Sequence, residues 1–155
     1  MRDNTLIDKI ARTIHRNELG KGGIEPLPFI YATFDTQNIM LDQVVPPFCA
    51  CSPIESAAVV DDHGLYHDQV TLVLLFGDLM CEPIGDFDAV ANERIIDECK
   101  QRAFIWLASL KNNPEIELVS INASAREYLR NDSVATGYSL NVTIKEIQGY
   151  GRCQI

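Results

Sequence analysis

Basic residues are scarce in this 155-residue chain: 13 Lys and Arg stand against 22 Asp and Glu, a formal net charge of −9. A surface that grips nucleic acid needs clustered cations to neutralise phosphates, and docking on anionic lipid needs the same. The expectation is therefore no sequence-specific nucleic-acid binding and no membrane partner. Long apolar runs are lacking as well. The most apolar windows, residues 70–76 and 103–110, fall well short of the ~20 residues that span a bilayer. The first turns carry Arg2, Asp3, Asp8, Lys9, Arg12 and Arg16, so no apolar leader segment is expected there. There is no internal repeat and no low-complexity stretch. Gly20, Gly22 and Gly23 follow no strand and precede no Lys-Ser/Thr pair, which excludes a phosphate-cradling loop. No Ser, His and Asp fall together in a motif context.

What is present suits one domain over residues 1–155, with an ordered core over about 5–146 and a loose C-terminal tail. The hydrophobic fraction is 46%, enough for one ordinary core. Five cysteines without a secretion signal read as reduced thiols. Leu6, Ile10 and Ile14 recur at helical spacing and predict a helix over 5–15, capped by Asp3, Asn4 or Thr5. Extended pieces follow at 29–34, 40–45 and 48–54. Pro46, Pro47 and Pro53 assign the last two to a sheet edge or an arm, because proline removes a ladder donor. Residues 66–77 form the strongest strand, with Val70, Leu72, Leu74 and Phe76 on one face and Val73 and Leu75 on the other. Such a strand is central or covered on both sides.

A long helix is predicted over 86–111, with Ile95, Ile96, Cys99, Ala103, Trp106, Leu107 and Leu110 toward the core. Phe104, Ile105 and Ala108 lie off that face. Two strands close the chain. In the first, over 115–125, Ile116, Leu118 and Ser120 face one way. In the second, over 134–146, Tyr138, Leu140, Val142 and Ile144 alternate with Ser139, Asn141, Thr143 and Lys145 and predict a half-exposed antiparallel strand. The fold class is α+β: a mostly antiparallel sheet packed by a long helix, with an N-terminal helix and a projecting hairpin or loop arm.

Three constellations were weighed for chemistry. Cys49 or Cys51 is the best candidate nucleophile, but a thiolate needs a nearby His or helix N-terminus, and no local signature supplies one. Two small thiols buried on alternate residues of a strand is the simpler reading. Cys49 and Cys51 with His63 and His67 echo a zinc site, yet the one-residue Cys spacing is too short and His63 sits in a turn sequence. Glu82, Asp86 and Asp88 could pair as acids, but acids at a helix start are expected for capping alone. The expectation is no catalytic residue, no metal and no cofactor: not an enzyme.

The order of elements resembles that of the small tail terminator proteins of long-tailed phages and prophages, which complete the tail and join it to the head. The resemblance runs over about 5–146. It is carried by the short N-terminal helix, the strand Pro47-Phe48-Cys49-Ala50-Cys51, a hairpin or loop over 52–69, and the strand Val70-Thr71-Leu72-Val73-Leu74-Leu75-Phe76. The long helix and the final strands, with Asp132-Ser133-Val134-Ala135-Thr136-Gly137-Tyr138 leading into Leu140-Asn141-Val142-Thr143-Ile144, complete it. It implies a structural virion protein whose subunits form a ring, commonly of six, that caps the tail tube and meets the head connector. The implied location is the virion and the host bacterial cytoplasm.

Ile54, Ala57, Val59, Phe104, Ile105 and Ala108 are the expected contact residues for a neighbouring subunit or partner. For residues 52–69 two readings stand open, a projecting arm used for assembly or, over 57–60, an ordinary strand of the domain. The alternative function is a small dimeric α+β domain that binds a ligand or regulates.

Overall fold

The computed structural model describes residues 5–33, 46–54, 56–62, 65–79, 89–130 and 135–147. The first helix, α1 (Leu6–Ile14), starts where Thr5 and Asp8 exchange hydrogen bonds in a capping box. Short 3₁₀ turns then lead to β1 (Phe29–Tyr31) and β2 (Phe48–Cys51). A hairpin follows, β3 (Ser56–Asp62) and β4 (Leu65–Leu79), then the long helix α2 (Ala89–Ser109). The hairpin of β5 (Ile116–Arg130) and β6 (Ala135–Glu146) closes the fold. The α+β class follows: a mixed sheet in the order β1-β2-β4-β6-β5, antiparallel except for the β1–β2 pair, with a long helix packed on it.

β4 is central, as its two apolar faces predict. One edge pairs with β6 from Gln69 to Leu79. The other edge is shared by two strands in succession: β2 lies against Leu74 to Gly77, and β3 lies against Leu65 to Thr71. β2 is therefore an interior strand between β1 and β4, not the edge piece its prolines suggest. Pro46 and Pro47 precede its first residue and Pro53 follows its last, so all four ladder amides are intact. β6 likewise has neighbours on both edges, and its polar residues Asn141, Thr143 and Lys145 form a half-buried face.

The helices cover one face. Ile96, Cys99, Ala103 and Trp106 of α2 and Leu110 of the turn after it are buried with Ile10 and Ile14 of α1 against Leu72, Leu74, Phe76, Leu140, Val142 and Ile144. Trp106 is the largest of these, fully buried and 5.9 Å from the Phe76 ring centroid. Its indole N–H donates to Thr13 Oγ1 at 2.9 Å, and the Thr13 hydroxyl donates to the Ile10 carbonyl at 2.6 Å. That chain solves the problem a buried indole poses, because its N–H must find an acceptor away from water. Lys9 pairs with Glu146 beneath the same layer, both only 6% exposed.

The other face is divided. Ile30, Phe48, Ala50 and Leu75 form a second apolar cluster over β1, β2 and β4. Over β5 and β6 the face is polar: Asn122 Nδ2 donates to Asn141 Oδ1 and Thr143 Oγ1, and Thr143 lies 3.1 Å from Thr71 Oγ1. Gly77 and Gly137 stand opposite each other where β4 meets β6. A Cβ on Gly137 would fall 2.1 Å from the Phe76 carbonyl oxygen, so only glycine fits this close approach.

β5 departs from simple alternation. Its register slips between Leu118 and Ser120, between Ile121 and Ala123, and between Glu127 and Arg130. The first slip turns Ser120 to the polar face opposite Thr143, so Ser120 does not continue the Ile116 and Leu118 row. The pairing reaches as far as Arg130 and Ala135. The expected elements at 40–45, 86–88 and 131–134 and the tail beyond 147 lie outside the described residues.

Two substitutions test this packing. Thr13→Val removes the indole's acceptor and should cost about 1–3 kcal/mol in urea unfolding. Lys9→Met takes the ammonium from a buried carboxylate and should cost ~3–5 kcal/mol, with Lys9→Met/Glu146→Leu recovering most of it. Equal losses in the single and double variants would contradict a coupled pair.

Candidate assembly surface

Among the described residues the sheet narrows to two strands beyond Gln69. β6 pairs with β4 only as far as Lys145↔Gln69, whereas β3 pairs with β4 from Ser56↔Thr71 out to Asp62↔Leu65. Residues 65–68 of β4 and their partners 59–62 thus form a ribbon that overhangs the sheet by roughly 13 Å at ~3.3 Å per residue. Both open readings of this segment apply in part. Residues 56–58 of β3 lie beside the full sheet, and 59–62 project from it.

The outer edges of the sheet differ in character. β3 holds its seven pairs with β4 in unbroken register. Among the described residues β4 is its only strand partner, so its other edge offers a regular row of backbone groups. β5 is the opposite edge, and its three register slips disrupt and twist the row of backbone groups that an added strand would need.

The expected contact residues are not gathered at one place. Ile54 is half-buried and packs against the main core. Ala57 and Val59 stand in β3 opposite Val70 and Asp68. Phe104 and Ile105 are 48% and 45% exposed on α2, and Ala108 is exposed beside them. The Phe104 ring meets Tyr138 edge-on at 6.1 Å, and the Lys100 ammonium lies 5.5 Å from the Phe104 centroid. Ile121 and Val119 on β5 add exposed apolar surface, at 51% and 46%. The sequence reading names neither as a contact residue.

The chemical candidates fall elsewhere. Cys49 and Cys51 point from β2 into the core under α2, where Cys99 joins them. Burial pushes the Cys49 thiol well above its usual range, and the neighbouring Cys51 and Cys99 add to the rise. Burial likewise pushes Cys51 up to about 12. Cys99 is also pushed to about 12, burial outweighing the opposing effect of Arg102. A thiol so placed is protonated at neutral pH and closed to a substrate. His67 lies in β4 opposite Val60, while His63, Glu82, Asp86 and Asp88 lie outside the described residues. Among the described residues no group of three or more His, Cys, Asp or Glu could hold a metal ion. No helix among them is long and apolar enough to cross a membrane.

An open groove of about 810 Å³ lies beside α1, lined by Asp8, Ala11, Arg12, His15, Pro28 and Phe29. Its polar groups are engaged within the fold. Arg12 makes two bonds to the Glu115 carboxylate, Asp8 caps α1, and His15 Nδ1 lies 3.0 Å from the Leu27 carbonyl oxygen. Comparison with known proteins returns no relative: no protein-family model matches the chain, and no curated protein sequence does.

The thiols give a test with a definite sign. Their protons are held to higher pH in the fold than in the unfolded chain, where a cysteine ionises near ~8.5. Their contribution to stability is complete below that pH. It falls as pH rises from there toward about 12 for Cys51 and Cys99, by ~1.4 kcal/mol per pH unit for each thiol. In a Cys81→Ser/Cys153→Ser protein a thiol reagent at pH 8 should leave the folded chain unlabelled and label three thiols in urea. Rapid labelling of Cys49 or Cys51 in the folded state would restore the nucleophile reading.

Proposed function

We propose that the chain is a structural assembly subunit of the tail terminator kind, forming a homo-oligomeric ring that caps a phage or prophage tail tube and meets the head connector. The observation that carries the reading is the overhanging β3–β4 ribbon, an element that a self-contained domain does not need. A two-stranded ribbon is at best marginally stable alone, so a neighbouring subunit is its natural support. The exposed apolar row of Phe104, Ile105 and Ala108 gives a second contact on α2. Head-to-tail contact between unlike surfaces closes a ring when the rotation permits, which suits one chain bearing two separate patches. The order of helix, strand, hairpin, long helix and paired strands is also the order of that family. The acidic charge is compatible with a conduit for DNA whose wall does not hold the duplex. The role needs no cofactor and no catalytic residue.

A second reading, a small dimeric ligand-binding or regulatory domain, has the groove beside α1 in its favour. Sedimentation over a range of concentrations separates the two. The ring reading predicts a discrete closed oligomer of more than two copies. It also predicts that replacing residues 57–65 with a short Gly/Ser linker abolishes the oligomer while the helical and sheet signals persist. Phe104→Glu/Ile105→Glu should weaken assembly with a stability change within ~0.5 kcal/mol, as expected for exposed positions. A tight dimer insensitive to both changes would overturn the ring, and unfolding of the linker variant would assign the ribbon to the core.

A further inference from the structure

The root of the ribbon is held by a side chain from another strand. β2 ends at Cys51 and β3 begins at Ser56, both on the same edge of β4. Across the gap the Ser52 amide still donates to the Val73 carbonyl at 3.3 Å, and Pro53 has no amide to offer. The next amide, Ile54, donates to the Tyr31 hydroxyl at 3.0 Å. Tyr31 is the last residue of β1, which is itself fixed to β2 through the Tyr31↔Cys51 register and the bond from the Ala32 amide to the Cys51 carbonyl at 3.1 Å. The Ile54 side chain packs against the main core while its amide is tied from outside.

We propose that Tyr31 is a positioning residue: its hydroxyl pins the break between β2 and β3 and so fixes the direction in which the β3–β4 ribbon leaves the sheet. The physical reason is that Pro53 has no ladder amide to offer and the Ile54 amide is tied to Tyr31 rather than to β4. β3 starts anew two residues later, so the Tyr31 bond restrains the chain just ahead of it. The ribbon overhangs the last β6 pair, so a small change at its root is amplified at its tip. The ring phenol packs on the sheet edge and is 38% exposed, which leaves its removal to phenylalanine sterically neutral. The inference concerns how the ribbon is aimed and goes beyond what it binds.

The test is a spin-label distance across the root. Labels are placed at Asp62→Cys on the ribbon and at Gln101→Cys on the exposed side of α2, in the Cys81→Ser/Cys153→Ser chain whose remaining thiols are buried. The expected result is one narrow distance with Tyr31 and loss of that single distance in Tyr31→Phe, at an unchanged melting temperature. A distribution of unchanged width in Tyr31→Phe, or a broad one with Tyr31 present, overturns the proposal. Hydrogen exchange at the Ile54 amide gives an independent reading in the unmodified protein. Protection supports the bond to Tyr31, and exchange at the rate of an open amide overturns it.

Discussion

Everything else in the molecule hangs on the double burial of β4. Its Leu72, Leu74 and Phe76 press against Trp106, Cys99 and Ile96 on the helical side, and Leu75 meets Phe48 and Ala50 on the other. The strand is therefore buried along its helical face and, around Leu75, on the other, as well as hydrogen-bonded along both edges. Removing this apolar surface from water is the dominant favourable contribution to folding, at ~25 cal/mol per Å². The polar groups beneath α2 are reconciled with that core one by one, Trp106 through Thr13, Lys9 through Glu146, and Thr136 through the Asn92 side chain.

The same strand carries the feature with functional meaning. β4 has fifteen residues, whereas β6 accompanies it only between Gln69 and Leu79. Among the described residues the excess length pairs with β3 alone and emerges as half of the ribbon. Core and projection are thus one continuous backbone. β5 and β3 complete the contrast: β5 is broken in register, while β3 presents a regular ladder.

Much of this was legible because it rests on period. β4 and β6 announce themselves by alternation, and the core face of α2 by the spacing of Ile96, Cys99, Ala103 and Trp106. Phe104, Ile105 and Ala108 were legible as contact candidates for the same reason, since they break the helical pattern. Reading failed where geometry departs from period. A bulge at Val119 shifts β5 by one residue, which misplaced Ser120. The prolines around β2 flank the strand rather than interrupt it, so an interior strand looked like an edge. Lys9 counts as polar in any amphipathic pattern, and only the fold brings it to Glu146, 137 residues away. The overhang itself depends on where β6 stops pairing with β4, which no local pattern records.

Native-state hydrogen exchange tests most directly the claim that one strand serves both a buried core and a free ribbon. The account predicts that amides of Leu72, Leu74 and Phe76 exchange only through global unfolding. Those at 59–62 and 65–68 should exchange through local opening of much lower free energy, with a change of regime near Gln69. Uniform protection along the whole of β4 would contradict it, because the ribbon would then be part of the cooperative core.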